Sequence, residues 1–311
     1  MSALYERQRP KCFADIIGNS HIIKTLSSFV EKKNNGEPHP HVFLFSGPFG
    51  CGKTTIGAIL AKELGSLGND YREIDSADFR GIETSREVRR QMMYRPVESS
   101  CKIWLFDECH KMTKDGQEAL LKALEKTPDH VYFILCTTEP RSLLDTITSR
   151  CSKHQVELLN DGEMLQLIRT VVRNEKEKLQ KSVYDYLIEY AQGHPRDALV
   201  QLEQVLANAP EDRPHVVQEA KIIEGESIDL CRALIKAASW KEISYILGCI
   251  GSCNDIEGIR RHVLRYCTTV LLKEDKPIAG LIMEKFINPF FNSGFSGLVF
   301  ACYSVYIEYS D

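Results

Sequence analysis

Short, nearly unbroken apolar runs alternate with amphipathic stretches through the first half of the chain. Val42-Phe43-Leu44-Phe45, Ile103-Trp104-Leu105-Phe106 and Val131-Tyr132-Phe133-Ile134-Leu135-Cys136 have the pattern of strands covered on both faces, as in a parallel sheet. Tyr71-Arg72-Glu73-Ile74-Asp75 is a weaker strand pattern, placed nearer an edge. Helical patterns fall between them over Thr54 to Leu64, Thr84 to Met93 and Gly116 to Lys126, the last with Leu120, Leu121 and Leu124 on one stripe. Strand and helix in alternation predict an α/β domain with right-handed crossovers.

After about residue 157 the strand signal fades. Asp161 is expected to cap a helix through Val172, and Lys181 to Ala191 and Arg196 to Ala207 read as two more. Asn208-Ala209-Pro210-Glu211-Asp212-Arg213-Pro214 breaks the pattern with two prolines and charge. From about 219 to 309 the chain reads helical again, with turns at Gly251-Ser252, Lys276-Pro277 and Asn292-Ser293-Gly294. The expected organisation is therefore an α/β domain over 1–157, a small helical domain over 158–212 and an all-helical domain over 213–311.

Composition narrows the class. With 311 residues, 43% hydrophobic, 26% charged and 12 prolines, the chain has the makeup of a globular protein with several cores. No apolar run approaches the roughly 18 to 20 residues of a membrane span, and the N-terminus lacks the apolar stretch of a signal peptide, so an intracellular protein without membrane association is expected. The 11 cysteines are scattered without a CxxC pair and are expected to be reduced and mostly buried. Cys249, Cys253 and His262 lack a second ligand pair to close a tetrahedron, so zinc is not expected there. Net charge is −4, and residues 1–155 carry 22 basic against 20 acidic side chains while 156–311 carry 17 against 23. Any nucleic-acid contact must come from local placement rather than overall charge.

The candidate chemistry lies at strand ends. Gly47-Pro48-Phe49-Gly50-Cys51-Gly52-Lys53-Thr54 fits G-x-x-x-x-G-K-[ST], follows a strand and opens a helix, the context that makes this motif a phosphate cradle. Gly47, Gly50, Cys51 and Gly52 allow backbone N–H groups to curl around phosphate oxygens beside the positive helix end. Lys53 reaches the terminal phosphates, Thr54 supplies a hydroxyl to Mg²⁺, and Thr55 follows within the binding segment. The strand Ile103 to Phe106 ends in Asp107 and Glu108. Asp107 is placed for Mg²⁺, and Glu108 can orient or deprotonate an attacking water, which hydrolysis requires and binding alone does not. No guanine-reading N-K-x-D sequence occurs.

Together these segments resemble the AAA+ clamp-loader ATPases, both the bacterial polymerase III gamma/tau subunit and the small subunits of replication factor C. Leu4-Tyr5-Glu6-Arg7-Gln8-Arg9-Pro10-Lys11 with Phe13-Ala14-Asp15-Ile16-Ile17-Gly18 is similar to the family's N-terminal signature. Tyr71 to Asp75 with Arg80-Gly81-Ile82, and Asp107 to Met112 with Ala119 to Glu125, match two further segments. The resemblance implies an AAA+ P-loop domain, a helical lid and a helical collar that joins subunits. It implies adenine contacts near Arg9, Pro10, Ile16 and Ile17, and a polar group at the end of the fourth strand, Thr138, that positions water. Arg196, in Gly193-His194-Pro195-Arg196-Asp197-Ala198, would touch the phosphates. Ser149-Arg150-Cys151 would lend Arg150 to a neighbouring subunit's nucleotide.

The same resemblance implies ATP and Mg²⁺ as ligands and an oligomer, a pentamer, of like or unlike subunits. It implies a sliding clamp and primer-template DNA as partners, at the replication fork in cytoplasm or nucleoid, or in the nucleus for a eukaryotic source. Arg86, Arg89 and Arg90, spaced three and four apart, and Lys111 and Lys114 are candidate DNA-phosphate contacts. Departures exist: Ala61 to Asp70 is too short for the zinc module usual in gamma/tau, and no long tau-like extension is expected. A branch-migration type AAA+ motor and a regulatory module that binds ATP without hydrolysing it share the nucleotide parts and are the alternatives.

Overall fold

A computed structural model describes residues 2–75, 82–251, 256–290 and 293–310; the side chains of 82–84, 215–224 and 310 are outside the description. Two compact units result, Met1–Pro210 and Glu211–Asp311. The helices that follow residue 157, expected as a separate small domain, belong to the first unit.

The apolar runs become the strands β1 (Val42–Ser46), β2 (Tyr71–Asp75), β3 (Lys102–Asp107) and β4 (Val131–Thr137). A fifth, β5 (Ser152–Gln155), completes a parallel sheet of order β2-β3-β4-β1-β5. The weak strand β2 does lie at an edge. Period-2 alternation divides each central strand between two cores. Val42, Leu44, Trp104, Phe106, Phe133 and Leu135 meet Leu120, Ala123 and Leu124 of helix Lys114–Glu125 on one face. Phe43, Phe45, Ile103, Leu105 and Ile134 meet Ile22 and Leu26 of helix Ser20–Asn34 and Ile56 and Leu60 of helix Lys53–Glu63 on the other. This is the three-layer α/β architecture the alternation predicted.

Strand β5 has no apolar run. It joins through backbone pairing with β1 and by burying His154, whose ring lies 5.4 Å from Phe45 and 6.3 Å from Phe43. Burial pushes the His154 pKa below its ordinary value, so the ring sits neutral among aromatics.

Most predicted helices stand within two or three residues of their expected ends: Lys53–Glu63, Ile82–Gln91, Lys114–Glu125, Lys181–Ala191 and Pro195–Leu206. Asp161 is not the cap of the helix Asp161–Asn174. Asn160 is, with its Oδ1 accepting from Glu163 N–H at 3.0 Å while Glu163 Oε2 accepts from Asn160 N–H at 3.0 Å, a capping box that leaves Asp161 in the first turn.

The second unit is helical: Arg213–Ile235, Trp240–Ile250, Ile256–Lys273, Pro277–Phe286 and Gly294–Ser310. Leu230, Leu234, Leu247, Val263, Ile282, Phe286 and Leu298 form its core. Arg80, Gly81, Ser252, Cys253 and Asn292 lie outside the described residues. Of the ten described cysteines seven are buried and all are free thiols. Among the described residues no helix is long and apolar enough to cross a membrane.

Candidate nucleotide site

The sheet order brings the carboxyl ends of β1, β4 and β3 side by side, where ligands sit in open α/β sheets. Ser46 pairs with Thr137 across β1 and β4, and Phe106 pairs with Leu135 across β3 and β4. The loop leaving β1 therefore faces the acids leaving β3, with the end of β4 between them.

The loop runs from Gly47 to Gly52 and opens the helix Lys53–Glu63. Gly52 has φ +99°, a left-handed conformation that favours glycine. Lys53 is only 5% exposed, and its Nζ donates to the carbonyls of Gly47 (3.1 Å) and Pro48 (2.8 Å), holding the ammonium over the loop. Burial pushes the Cys51 thiol above its ordinary pKa against the opposing pull of Lys53, so it stays protonated at neutral pH. Thr54 Oγ1 donates to Asp107 Oδ2 at 2.9 Å, and Asp107 Oδ1 accepts from the Glu108 N–H at 3.0 Å. Glu108 is left-handed, φ 49° and ψ 40°, with Oε2 3.4 Å from His110 Nε2 and 3.8 Å from Lys111 Nζ.

These groups border a cavity of about 360 Å³. Lys53, Thr54, Asp107 and Glu108 supply polar lining. Pro10, Ile16 and Ile17 of the N-terminal segment supply apolar lining with Leu159, Leu167, Pro195 and Leu199. Arg9 also lines the cavity, its Nε donating to Thr55 Oγ1 at 3.1 Å. Arg196, at the start of Pro195–Leu206, lies with its guanidinium carbon 4.8 Å from the Tyr5 ring centroid and 5.4 Å from that of Phe49, a cation held between two aromatic faces. Across the same gap His194 Nδ1 meets the Phe49 carbonyl oxygen at 2.9 Å.

The N-terminal wall is fastened to the lid helices. Leu4 is buried, its N–H donates to Glu203 Oε1 at 2.9 Å, and Arg7 pairs with Glu175 (3.5 Å) and Glu203 (3.6 Å).

Other predicted residues lie elsewhere. Thr138 follows β4 and is not among the cavity-lining residues, whereas the buried Thr137 reaches His110 Nδ1 through Oγ1 at 3.2 Å. Arg150 is outside the cavity and partly exposed, with its guanidinium donating to Thr146 O (2.7 Å) and Glu125 Oε1 (2.8 Å). Arg86 and Arg89 are exposed on helix Ile82–Gln91, and Arg90 beside them pairs with Glu87 at 2.7 Å. Lys111 and Lys114 are exposed next to the acidic turn. Sequence reading missed Glu73 of β2 and the leucines Leu159, Leu167 and Leu199, all at the cavity. Leu167 and Leu199 lie on the apolar stripes of predicted helices, which is their only signal, while Leu159 precedes the first of those helices and carried none.

A phosphate loop after β1, an acidic pair after β3, sheet order β2-β3-β4-β1-β5 and a helical lid carrying an arginine define a P-loop protein of the AAA+ class. The fold is that of Thermotoga maritima RuvB, the Holliday junction branch migration motor: TM-score 0.60 at 21% identity, covering 83% of this chain and 90% of that one.

Sequence comparison is more specific. The DNA polymerase III subunit gamma/tau of Mycobacterium tuberculosis strain H37Rv is 32% identical over 276 residues, covering 81% of this chain and 47% of the relative. The DNA polymerase III subunit gamma of Buchnera aphidicola from Acyrthosiphon pisum is 30% identical over an alignment of 312 residues, covering 92% and 85%. The family "DNA polymerase III, delta subunit" matches residues 68–160. The chain belongs to the DNA polymerase III gamma/tau family, and it spans about half the length of the mycobacterial relatives.

Proposed function

We propose that this chain is an ATPase subunit of a sliding-clamp loader, in which ATP binding drives clamp opening and engagement of primer-template DNA, and hydrolysis releases the closed clamp on the DNA. The observation that carries this is the convergence of Lys53, Thr54, Asp107, Glu108 and Arg196 on one cavity in a chain of the gamma/tau family.

The residues fit the ligands. The cavity combines apolar side chains suited to a purine with a loop of backbone donors suited to phosphates. Thr54 and Asp107 present hard oxygens 2.9 Å apart, the donor type Mg²⁺ takes from proteins when phosphates and water complete its shell. Bound there, the ion would neutralise charge on the phosphate oxygens.

Pro10, Ile16 and Ile17 pack the base, with Arg9 beside them. Lys53 leaves its loop carbonyls to meet terminal phosphate oxygens. Glu108 orients the attacking water and takes its proton, and Thr138 is the polar group that the family resemblance assigns to positioning that water. Arg196 carries the lid's charge to the phosphates. Arg150, which does not line its own chain's cavity, serves a neighbour's site in a pentamer of clamp-loader subunits. Arg86, Arg89, Arg90, Lys111 and Lys114 face duplex phosphates, Arg90 by exchanging its ion pair with Glu87. The setting is the bacterial replication fork, in the cytoplasm or nucleoid.

ATP turnover measured with and without a ring-shaped clamp and primed DNA tests this. Joint stimulation by both is expected. Processive translocation on DNA without any clamp requirement would instead make the chain a motor, and nucleotide binding without turnover would make it a regulatory module.

A further inference from the structure

We propose that His110 is a positioning residue that fixes the Glu108 carboxylate by tying it to the Thr137 hydroxyl at the end of β4. The inference rests on the reading of Glu108 as the group that directs water.

Hydrogen-bond bookkeeping along this chain of groups sets its direction. The Glu139 N–H donates to Thr137 Oγ1 at 2.9 Å, which occupies one of that oxygen's two lone pairs and leaves its own proton to give. His110 Nδ1 lies 3.2 Å away. A hydroxyl donating to Nδ1 makes that nitrogen the acceptor and puts the ring proton on Nε2. Nε2 is 3.4 Å from Glu108 Oε2, an ion-pair distance, and a carboxylate oxygen there can only accept, which matches a proton on Nε2. Water competes little: Thr137 is fully buried and the His110 side chain is 11% exposed.

Local backbone geometry explains why a histidine two residues on can reach back. Glu108 is left-handed, and the Lys111 N–H donates to the Glu108 carbonyl at 2.9 Å, closing the short helical turn Cys109–Lys111. Cys109, buried, anchors that turn against the sheet. Lys111 Nζ also approaches Oε2, at 3.8 Å, but its side chain is half exposed and holds more weakly. Because β4 lies between β3 and the phosphate-loop strand β1, the orientation of Glu108 is referred to the strand that also neighbours the phosphate cradle.

The test uses the assembled complex with clamp and primed DNA, a fluorescent ATP analogue for affinity, and steady-state turnover. His110→Ala and Thr137→Val are each expected to lower kcat by about 10- to 100-fold and to leave analogue affinity within about twofold. The double variant is expected to be no worse than the poorer single, as for groups acting in one chain. His110→Gln, whose amide N–H reaches the place of Nε2, should restore most of the turnover, a rescue that a packing role would not produce.

Thr137→Ser keeps the hydroxyl, serves if Thr137→Val does not fold, and should match wild type. Wild-type kcat in His110→Ala, losses that multiply in the double variant, or a defective Thr137→Ser would each overturn the proposal. Glu108→Gln is measured alongside. If it turns over normally, the hydrolysis reading falls and takes this inference with it; if it is inactive while His110→Ala is normal, only the role of His110 falls.

Discussion

Gly47→Ala is the perturbation whose cost the structure defines most directly. A Cβ at Gly47 would stand 2.3 Å from the Val156 carbonyl oxygen and 3.3 Å from Cys51 Sγ. The carbonyl cannot simply retreat, because the Val156 N–H is bonded to Ser46 O at 2.7 Å just beyond β5. Relieving the overlap means shifting the phosphate loop or breaking that bond. Overpacking costs about 1–3 kcal/mol, a lost backbone bond about 1 kcal/mol more, and the Gly47 backbone at φ +155° about 1 kcal/mol for any side chain, so a destabilisation of about 4 kcal/mol is expected.

Gly36→Ala is the matched control. Gly36 has φ +71°, but nothing lies within 4 Å of its added Cβ, so only the left-handed backbone cost of about 1 kcal/mol applies. At about 2–4 °C per kcal/mol for a domain of this size, thermal melting should separate the two by about 6–12 °C. Gly47→Ala should also weaken nucleotide binding, and Gly36→Ala should not. If the two variants melt together, or if Gly47→Ala keeps full affinity, the close approach of the loop to Val156 does not limit the site.

Lys53→Ala is expected to lower ATP affinity by about 10- to 100-fold, the worth of one charged hydrogen-bond donor, read by titration of the full chain. In assemblies mixing Arg150→Ala with Lys53→Ala subunits, turnover should depend on which neighbour carries which change; mixtures insensitive to Arg150 would refute sharing between subunits. Burial lowers the pKa of His41 and His154 below 6.5, with His39 adding to the effect at His41. Both rings are thus neutral in the fold and bind protons more readily when unfolded. Their contribution is full above the unfolded value of 6.5 and is lost as pH falls through it toward the lowered folded values. Chemical denaturation from pH 8 to pH 5 should show that decline, and His154→Gln should flatten it.

The sheet was readable because buried parallel strands need apolar side chains on both faces, and Phe43 to Phe45 and Val131 to Cys136 supply them. Strand β5 was not readable, since Ser152-Lys153-His154-Gln155 carries no such run and is held by pairing with β1. The loop and the acids were legible as motifs. Their apolar surroundings were not: Leu167 and Leu199 read as ordinary residues of amphipathic helices and Leu159 as part of the segment before one, until the chain is folded and all three line the same cavity as Ile16 and Ile17. That Thr137, and not its neighbour Thr138, is the hydroxyl meeting His110 is a matter of one residue at the end of β4 that composition does not encode.

The hydrogen bond from the Leu4 amide to Glu203 joins positions separated by 199 residues. At roughly 5–20 residues per second of synthesis, the amino-terminal segment waits about 10–40 s on the ribosome before its anchor emerges. The cavity wall formed by the amino-terminal segment is therefore the last part of the first unit to be assembled, and a nascent chain has the loop Gly47 to Gly52 complete well before it has anything to close over it.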